Sequence, residues 1–219
     1  MSKNIAIDGP AGAGKSTIAR KVARELGYIY VDTGAMYRAM AYFMIQRGVL
    51  ASQSDQISRI CKEADITIRY EAGEQQVYLN GQNVTAYLRT EEVGNMASAS
   101  SVNGDVRQKL VELQQKLAAR EDVVMDGRDI GTVVLPHADH KIYLTASVAV
   151  RAKRRFDELC AKGEPADLAQ IAKDIEERDH RDMTREISPL KQADDAILVD
   201  SSDMTIEEVT EKILSICRS

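Results

Sequence analysis

Apolar and polar positions fall into blocks that change period along the chain. Residues 4–8, NIAID, form a short apolar run and predict a buried strand. In KSTIARKVAREL the apolar positions Ile18, Ala19, Val22, Ala23 and Leu26 recur at helical spacing, with Gly27 placed to end that helix. YIYV at 28–31 predicts a second strand. Asp32 or Thr33 can then cap a helix beginning GAMYRAMAYFMIQ and terminated by Gly48.

The pattern changes over residues 64–88. DITIRY alternates apolar with polar, QVYLN does so again, and Asn80-Gly81 is a hairpin turn signal, which together predict a small antiparallel meander. Helical spacing returns at 90–101 and 103–120. Core strands are predicted at 122–126 and 140–145, charged helices at 147–162 and 167–186, a last strand at 196–200 and a closing amphipathic helix at 205–217. Strands alternating with helices imply an α/β fold on a parallel sheet flanked by helices. Pro165 and Ser188-Pro189 mark turns, and no repeat or low-complexity tract interrupts the chain.

Composition narrows the function classes. The 219 residues are 44% apolar and 29% charged, which suits an ordinary soluble core. A formal net charge of −5 argues against a protein that coats nucleic acid or an anionic membrane, but leaves room for a local anion site. Cys61, Cys160 and Cys217 are far apart and form no CxxC, so free thiols in a cytoplasmic protein are expected. MSKNIAIDGP has no apolar run of signal-peptide or membrane-span length, so Asn83-Val84-Thr85 is expected to be a chance match to the glycosylation sequon. Neither a coiled-coil pattern nor a long exposed apolar face is evident, and a monomer is expected.

Residues 9–17, GPAGAGKST, satisfy G-x-x-x-x-G-K-[ST] between a predicted strand and a predicted helix. Gly9, Pro10, Ala11, Gly12, Ala13 and Gly14 let backbone N–H groups turn inward on phosphate oxygens, with Thr17 in the first helical turn beyond them. Lys15 reaches the β and γ phosphates, and the Ser16 hydroxyl suits Mg²⁺. The motif predicts a nucleoside triphosphate site without choosing between a kinase, a regulatory GTPase and a motor.

The acceptor side has to choose. VVMDGRDIGTVV at 123–134 starts as a core strand and then delivers Asp126, Arg128 and Asp129 between Gly127 and Gly131. Charges at the end of a buried strand are costly unless paired, so these side chains are candidate ligands. Asp126 is expected to hold Mg²⁺ through water, or else to cap a neighbouring loop. VDTGAMYR puts Thr33 and Arg38 at a strand-to-helix junction, where parallel sheets bind ligands; Arg38 alone is equally a surface arginine. Ser98 and Arg107 flank the short break SSVNGD and say little by themselves. In EERDHRDMTR, at about 100° per residue, Arg178, Arg181, Asp182 and Arg185 fall within roughly a 60° sector. That face either surrounds an anion or is laced by i,i+4 pairs such as Arg178 with Asp182. RAKRR at 151–155 is a further basic cluster that could close over a triphosphate.

Taken together, IDGPAGAGKST, VDTGAMYR, DGRDIGTVV and ERDHRDMTR resemble, in order and spacing, the bacterial cytidylate kinases among P-loop nucleoside monophosphate kinases. The resemblance runs from residue 4 to the C-terminus and includes the meander. It implies one kinase domain over 1–219. A core at about 1–63, 90–150 and 190–219 would carry a nucleoside-monophosphate-binding insert at about 64–89 and a helical lid at about 151–189. It implies phosphoryl transfer from ATP, with Mg²⁺, to CMP or dCMP. By the same resemblance Arg38, Arg128 and Arg185 would hold the acceptor phosphate. Ser98, Arg107 and Asp129 would read cytosine, and Arg178 and Asp182 would contact the sugar. Arg154, Arg155 and Arg181 are lid candidates, with Arg181 foremost. Hinging is expected at the loops flanking 64–88 and 150–190.

The chemistry of the groups agrees with these roles. Cytosine offers acceptors at O2 and N3 and a donor at N4, which complement an arginine and an ionised aspartate. Uracil would set O4 against the aspartate lone pairs. A UMP or shikimate kinase would not combine Ser98, Arg107 and Asp129 in this way. A regulatory GTPase would need an N/T-K-x-D motif, which is absent, and a binding module with a dead site would not need Lys15, Ser16 and the arginines intact.

Overall fold

The computed structural model describes residues 2–71 and 73–218. β1 (Asn4–Asp8) leads through the glycine loop into α1 (Lys15–Leu26), closed by Gly27 in the left-handed region, and on to β2 (Ile29–Asp32). Next comes α2 (Thr33–Gln46), capped by Asp32, whose Oδ1 accepts from Ala35 N at 2.9 Å. Gly48, at φ 66°, follows the C-terminus of α2. α3 (Ser54–Ile60) continues into a 3₁₀ turn at Cys61–Glu63. These two short polar elements have no clear counterpart in the apolar pattern, because Ile57 and Cys61 are their buried side chains.

The meander is β3 (Ile66–Glu71), β4 (Glu74–Leu79) and β5 (Gln82–Asn83), an antiparallel sheet in that order. Asn80 at φ 49° and Gly81 at φ 81° supply the two left-handed residues a tight hairpin turn needs. α4 (Glu91–Ser100) and α5 (Gly104–Ala118) follow, capped by Thr90 and Asn103. The chain then forms β6 (Val123–Gly127), β7 (His140–Thr145), α6 (Val148–Ala161), α7 (Leu168–Thr184), β8 (Ile197–Asp200) and α8 (Ile206–Arg218).

The large sheet has five strands in the order β2-β6-β1-β7-β8, and β1 pairs in parallel with both β6 and β7. The central apolar run of β1 is buried, as expected for a strand with neighbours on both sides. Register sets Asp8 opposite Gly127 and opposite Tyr143. The chain segments leaving β1, β6 and β7 therefore emerge from one edge of the sheet, the edge at which parallel α/β folds bind ligands.

Two compact units are resolved, 1–30 with 121–219 and 31–120, with the boundary inside β2. The first has a core around Ile5, Ile7, Val22, Val124, Ile142, Leu144 and Ile213. In the second, β3 and β4 do not stand alone. Ile66, Val77 and Leu79 share a core with Met40, Phe43 and Met44 of α2, Val93 of α4 and Leu110 of α5.

Candidate active site

The glycine loop is held by backbone geometry that side chains would disrupt. Gly9 has φ 150°, and a Cβ on it would lie 1.9 Å from the Leu144 carbonyl oxygen. Gly14, at φ 86°, is the N-cap of α1, and no side chain caps that end. The first turn of α1 also contains no acidic residue. Its N–H groups and positive helix end suit an anion.

Lys15 follows directly and is 5% exposed. Its Nζ donates to the Pro10 carbonyl at 2.7 Å, so the lysine folds back across its own loop. Burial first, then the Arg128 guanidinium, bring the ammonium from 10.5 down to about 7. Asp126 and Asp8 act in the opposite direction.

Asp8, at the end of β1, is the part of the site that the sequence motifs did not single out. Its Oδ1 accepts from Ile130 N at 2.8 Å and its Oδ2 from Gly131 N at 2.7 Å. A buried carboxylate thus clamps the segment after Asp129 to the strand that leads into the phosphate loop. Burial pushes its carboxyl from 3.8 up to about 6, against the lowering effect of those two N–H groups. Glycine suits position 131, because a Cβ there would meet Lys141 Cδ at 3.2 Å and Asp8 Oδ2 at 3.4 Å. Residues Ile130–Val134 form a π-helical turn, in which Leu135 N donates to Ile130 O at 2.6 Å. Such turns are rare and concentrate at functional sites.

Asp126 lies deeper. Its Oδ2 accepts from the Ser16 hydroxyl at 3.0 Å and its Oδ1 from the Tyr30 hydroxyl at 2.8 Å. The two residues expected to face a metal are therefore adjacent. Both offer hard oxygen donors, which suits a divalent cation that takes its other ligands from phosphate and water. Among the described residues no cluster of three His, Cys, Asp or Glu side chains could hold a metal alone.

Arg128 and Asp129 diverge. Arg128 Nε donates to Asp182 Oδ2 at 2.9 Å, while Asp129 Oδ1 lies 4.0 Å from Arg185 Nη2. Asp182, read in the sequence as a possible i,i+4 partner of Arg178, pairs with Arg128 in a different element. Arg185 is the C-cap residue of α7 with extended dihedrals, so it does not continue the helical face counted in the sequence. Its Nε donates to Ser188 O at 2.7 Å. Arg178 and Arg181 are exposed on α7. On α6, Arg154 Nη2 donates to Ser201 O at 2.8 Å, and Arg155 pairs with Glu158 at 2.9 Å.

Within the other unit, Arg38 Nη2 pairs with Asp32 Oδ2 at 2.9 Å, so Asp32 both caps α2 and orients the arginine. Thr33 is buried at the first position of α2. Arg107 is 3% exposed, donates to Ser101 O at 3.0 Å and lies over the Tyr37 ring at 5.4 Å. Half-buried Ser98 offers its carbonyl to the Ser101 hydroxyl at 2.8 Å. Ser101 thus contacts the main chain of Ser98 through its hydroxyl and the side chain of Arg107 through its carbonyl.

Arg151, counted in the RAKRR cluster expected to close over a triphosphate, and Asp179, inside ERDHRDMTR, have no individual role in the sequence reading. They form a buried pair at 2.6 Å. For Asp8 the signal was available, since it ends an apolar strand as Asp126 does. For Arg151 and Asp179, nothing in the basic and acidic runs around them sets them apart.

Comparison with known proteins agrees with this arrangement. The cytidylate kinase family profile matches residues 5–219. The cytidylate kinase of Caldicellulosiruptor saccharolyticus is 50% identical over 213 residues, covering 97% of this chain and 94% of that one. The cytidylate kinase of Lactobacillus johnsonii is 51% identical over 212 residues, covering 97% and 92%. A solved gluconokinase from Sinorhizobium meliloti 1021 shares the fold, with a TM-score of 0.50 at 15% identity over 99% of this chain and 92% of that one. With the glycine loop, the DGRDIG segment and α7 held on one frame and a family match over nearly the whole length, the chain belongs to the cytidylate kinase family.

Proposed function

We propose that this protein transfers the γ-phosphoryl group of ATP to CMP or dCMP, giving ADP and CDP or dCDP. The observation that carries the reading is the Asp8 clamp. It joins the strand feeding the phosphate loop to the segment bearing Arg128 and Asp129. Arg128 and Asp129 are thereby tied to the phosphate loop, which supports the positioning that in-line transfer requires. A coupled ADP-release assay across CMP, dCMP, UMP, AMP and shikimate tests it. Turnover confined to the cytidine nucleotides is expected, and equal turnover of UMP or shikimate would overturn it.

In this reading residues 9–14 and the first turn of α1 cradle the ATP phosphates. Lys15 exchanges the Pro10 carbonyl for phosphate oxygens, and the arriving negative charge restores its full protonation. Ser16 and Asp126 would hold Mg²⁺, and the cation would supply positive charge to offset that of the phosphates. The acceptor phosphate is already an anion, so no strong general base is required.

Arg128, Arg38 and Arg185 would grip that acceptor phosphate. Arg128 and Arg185 already lie in hydrogen-bonded positions that a phosphate could take over. Ser98, Arg107 and Asp129 would read the base. Arg178 and Asp182 would meet the sugar, and Arg181, Arg154 and Arg155 would neutralise the transferring group from the helical lid. The chain would act as a cytoplasmic monomer. Among the described residues no helix is long and apolar enough to cross a membrane.

A further inference from the structure

We infer that Arg151 and Asp179 are positioning residues: a buried latch that fixes α7, and with it Arg178, Asp182 and Arg185, to the backbone of the phosphate loop. The inference rests on the acceptor role proposed above for those three side chains.

Arg151 is 4% exposed and its guanidinium is used on three sides. Nε donates to Ala146 O at 2.8 Å, Nη1 to Ala11 O at 2.9 Å and Nη2 to Asp179 Oδ2 at 2.6 Å. Only a planar fork can serve three acceptors in these directions at once, and a lysine cannot. The bond to Ala11 has a directional effect. In a trans peptide the C=O and the following N–H point oppositely. Holding the Ala11 carbonyl on the Arg151 side turns the Gly12 N–H to the other face, where an anion can be received. The Arg151 stem lies against the same loop, since a Cβ on Gly12 would be 3.4 Å from Arg151 Cβ.

The other end of the latch is equally specific. Among the described residues Asp179 is the one buried residue of α7. The helix therefore has no fully buried apolar side chain to register it, and ion pairs from Asp179 to Arg151 and from Asp182 to Arg128 do so instead. Asp179 Oδ1 is buried with no hydrogen-bond partner. A buried ion pair is by itself weak evidence of a contribution to stability. What the pair does supply is geometry. The ribbon from Ala11 through Arg151 and Asp179 sets where the neighbouring Arg178, and Asp182 one turn on, stand relative to the donor loop.

Steady-state kinetics on the full chain test this, with Asp179→Asn, Arg151→Lys, the double variant and Arg185→Ala. Asp179→Asn is expected to raise KM for CMP about tenfold, with a smaller change in kcat. Arg151→Lys is expected to raise KM for both ATP and CMP, and the double variant to be no worse than Arg151→Lys alone. Should Asp179→Asn fail to fold by circular dichroism, Asp179→Glu, which keeps the charge but displaces it, must show the same rise. Normal KM values with a lowered melting temperature would make the pair merely structural and overturn the proposal, as would single effects that multiply in the double variant. A normal KM for CMP in Arg185→Ala would refute the acceptor reading itself. A raised KM there, with normal values in the Asp179 and Arg151 variants, would refute the latch alone.

Discussion

Arg128 Nε donates to Asp182 Oδ2 across 2.9 Å, joining the segment after β6 to the last turns of α7. If Arg128 binds the acceptor phosphate and Asp182 the sugar, each substrate molecule must part this pair and replace it. The two side chains are 21% and 14% exposed. Removing one partner of such a largely shielded pair leaves the other charge uncompensated. Asp182→Ala should therefore lower the melting temperature and also narrow the preference between CMP and dCMP by about tenfold, the worth of one hydrogen bond to a hydroxyl. An unaltered ratio of kcat/KM for the two nucleotides would remove Asp182 from the sugar.

Asp129 is 4% exposed at the start of the π-helical turn. Its carboxylate matches the exocyclic amine of cytosine and opposes O4 of uracil. Asp129→Ala should lower discrimination between CMP and UMP by about 1–3 kcal/mol, the cost of facing an unpaired polar group in a closed site. Kinetics on both nucleotides give the number directly, and an equal loss on each would mean that Asp129 does not read the base.

Lys15 makes a prediction about protons. With its folded pKa brought from 10.5 down to about 7, the unfolded chain binds the extra proton between those values. The contribution of Lys15 to stability thus rises with pH across that window. ATP favours the charged form, so its binding should take up a proton there, and its affinity should fall as pH climbs above about 7. Calorimetry near pH 8 (an approximate choice within that window) in buffers of different ionisation enthalpy reads the uptake. Identical heats would contradict it. Lys15→Met should nearly abolish turnover with a native circular dichroism spectrum.

Asp8→Asn exchanges one of two acceptor oxygens for a donor. Either Ile130 N–H or Gly131 N–H then loses its partner, at about 1–3 kcal/mol. The pH dependence has a definite sign. A carboxyl raised from 3.8 to about 6 contributes most below its unfolded value, and that contribution fades as pH rises through about 6. The deficit of Asp8→Asn in urea unfolding should accordingly narrow between those two values. A deficit that widened would show that the charged form is the stabilising one. KM for CMP should rise in the same variant, because Arg128 and Asp129 lose their anchor.

Much of this frame is written in local pattern. The strand, glycine loop and α1 are consecutive, so periodicity and one motif suffice to place Lys15 and Ser16. Asp126, Arg128 and Asp129 announce themselves as charges after a buried run. The partners of those groups are harder to see. Asp8 and Ile130 are 122 residues apart in the chain, and no periodicity spans that interval. In RAKRR the basic residues look alike. Only the azimuth of α6 in the folded protein buries Arg151 and leaves Arg154 and Arg155 exposed. The break of EERDHRDMTR at Arg185 was equally hidden, since the residues before Ser188-Pro189 still carry helical composition.

The close approach of Gly9 to the Leu144 carbonyl has a consequence for how this enzyme can diversify. Backbone oxygen cannot step aside as the end of a long side chain can, so a saturation library should return nothing but glycine at position 9. The groups proposed to read the acceptor are side chains, on which no such backbone contact bears. The same library should therefore admit replacements at those positions that position 9 refuses.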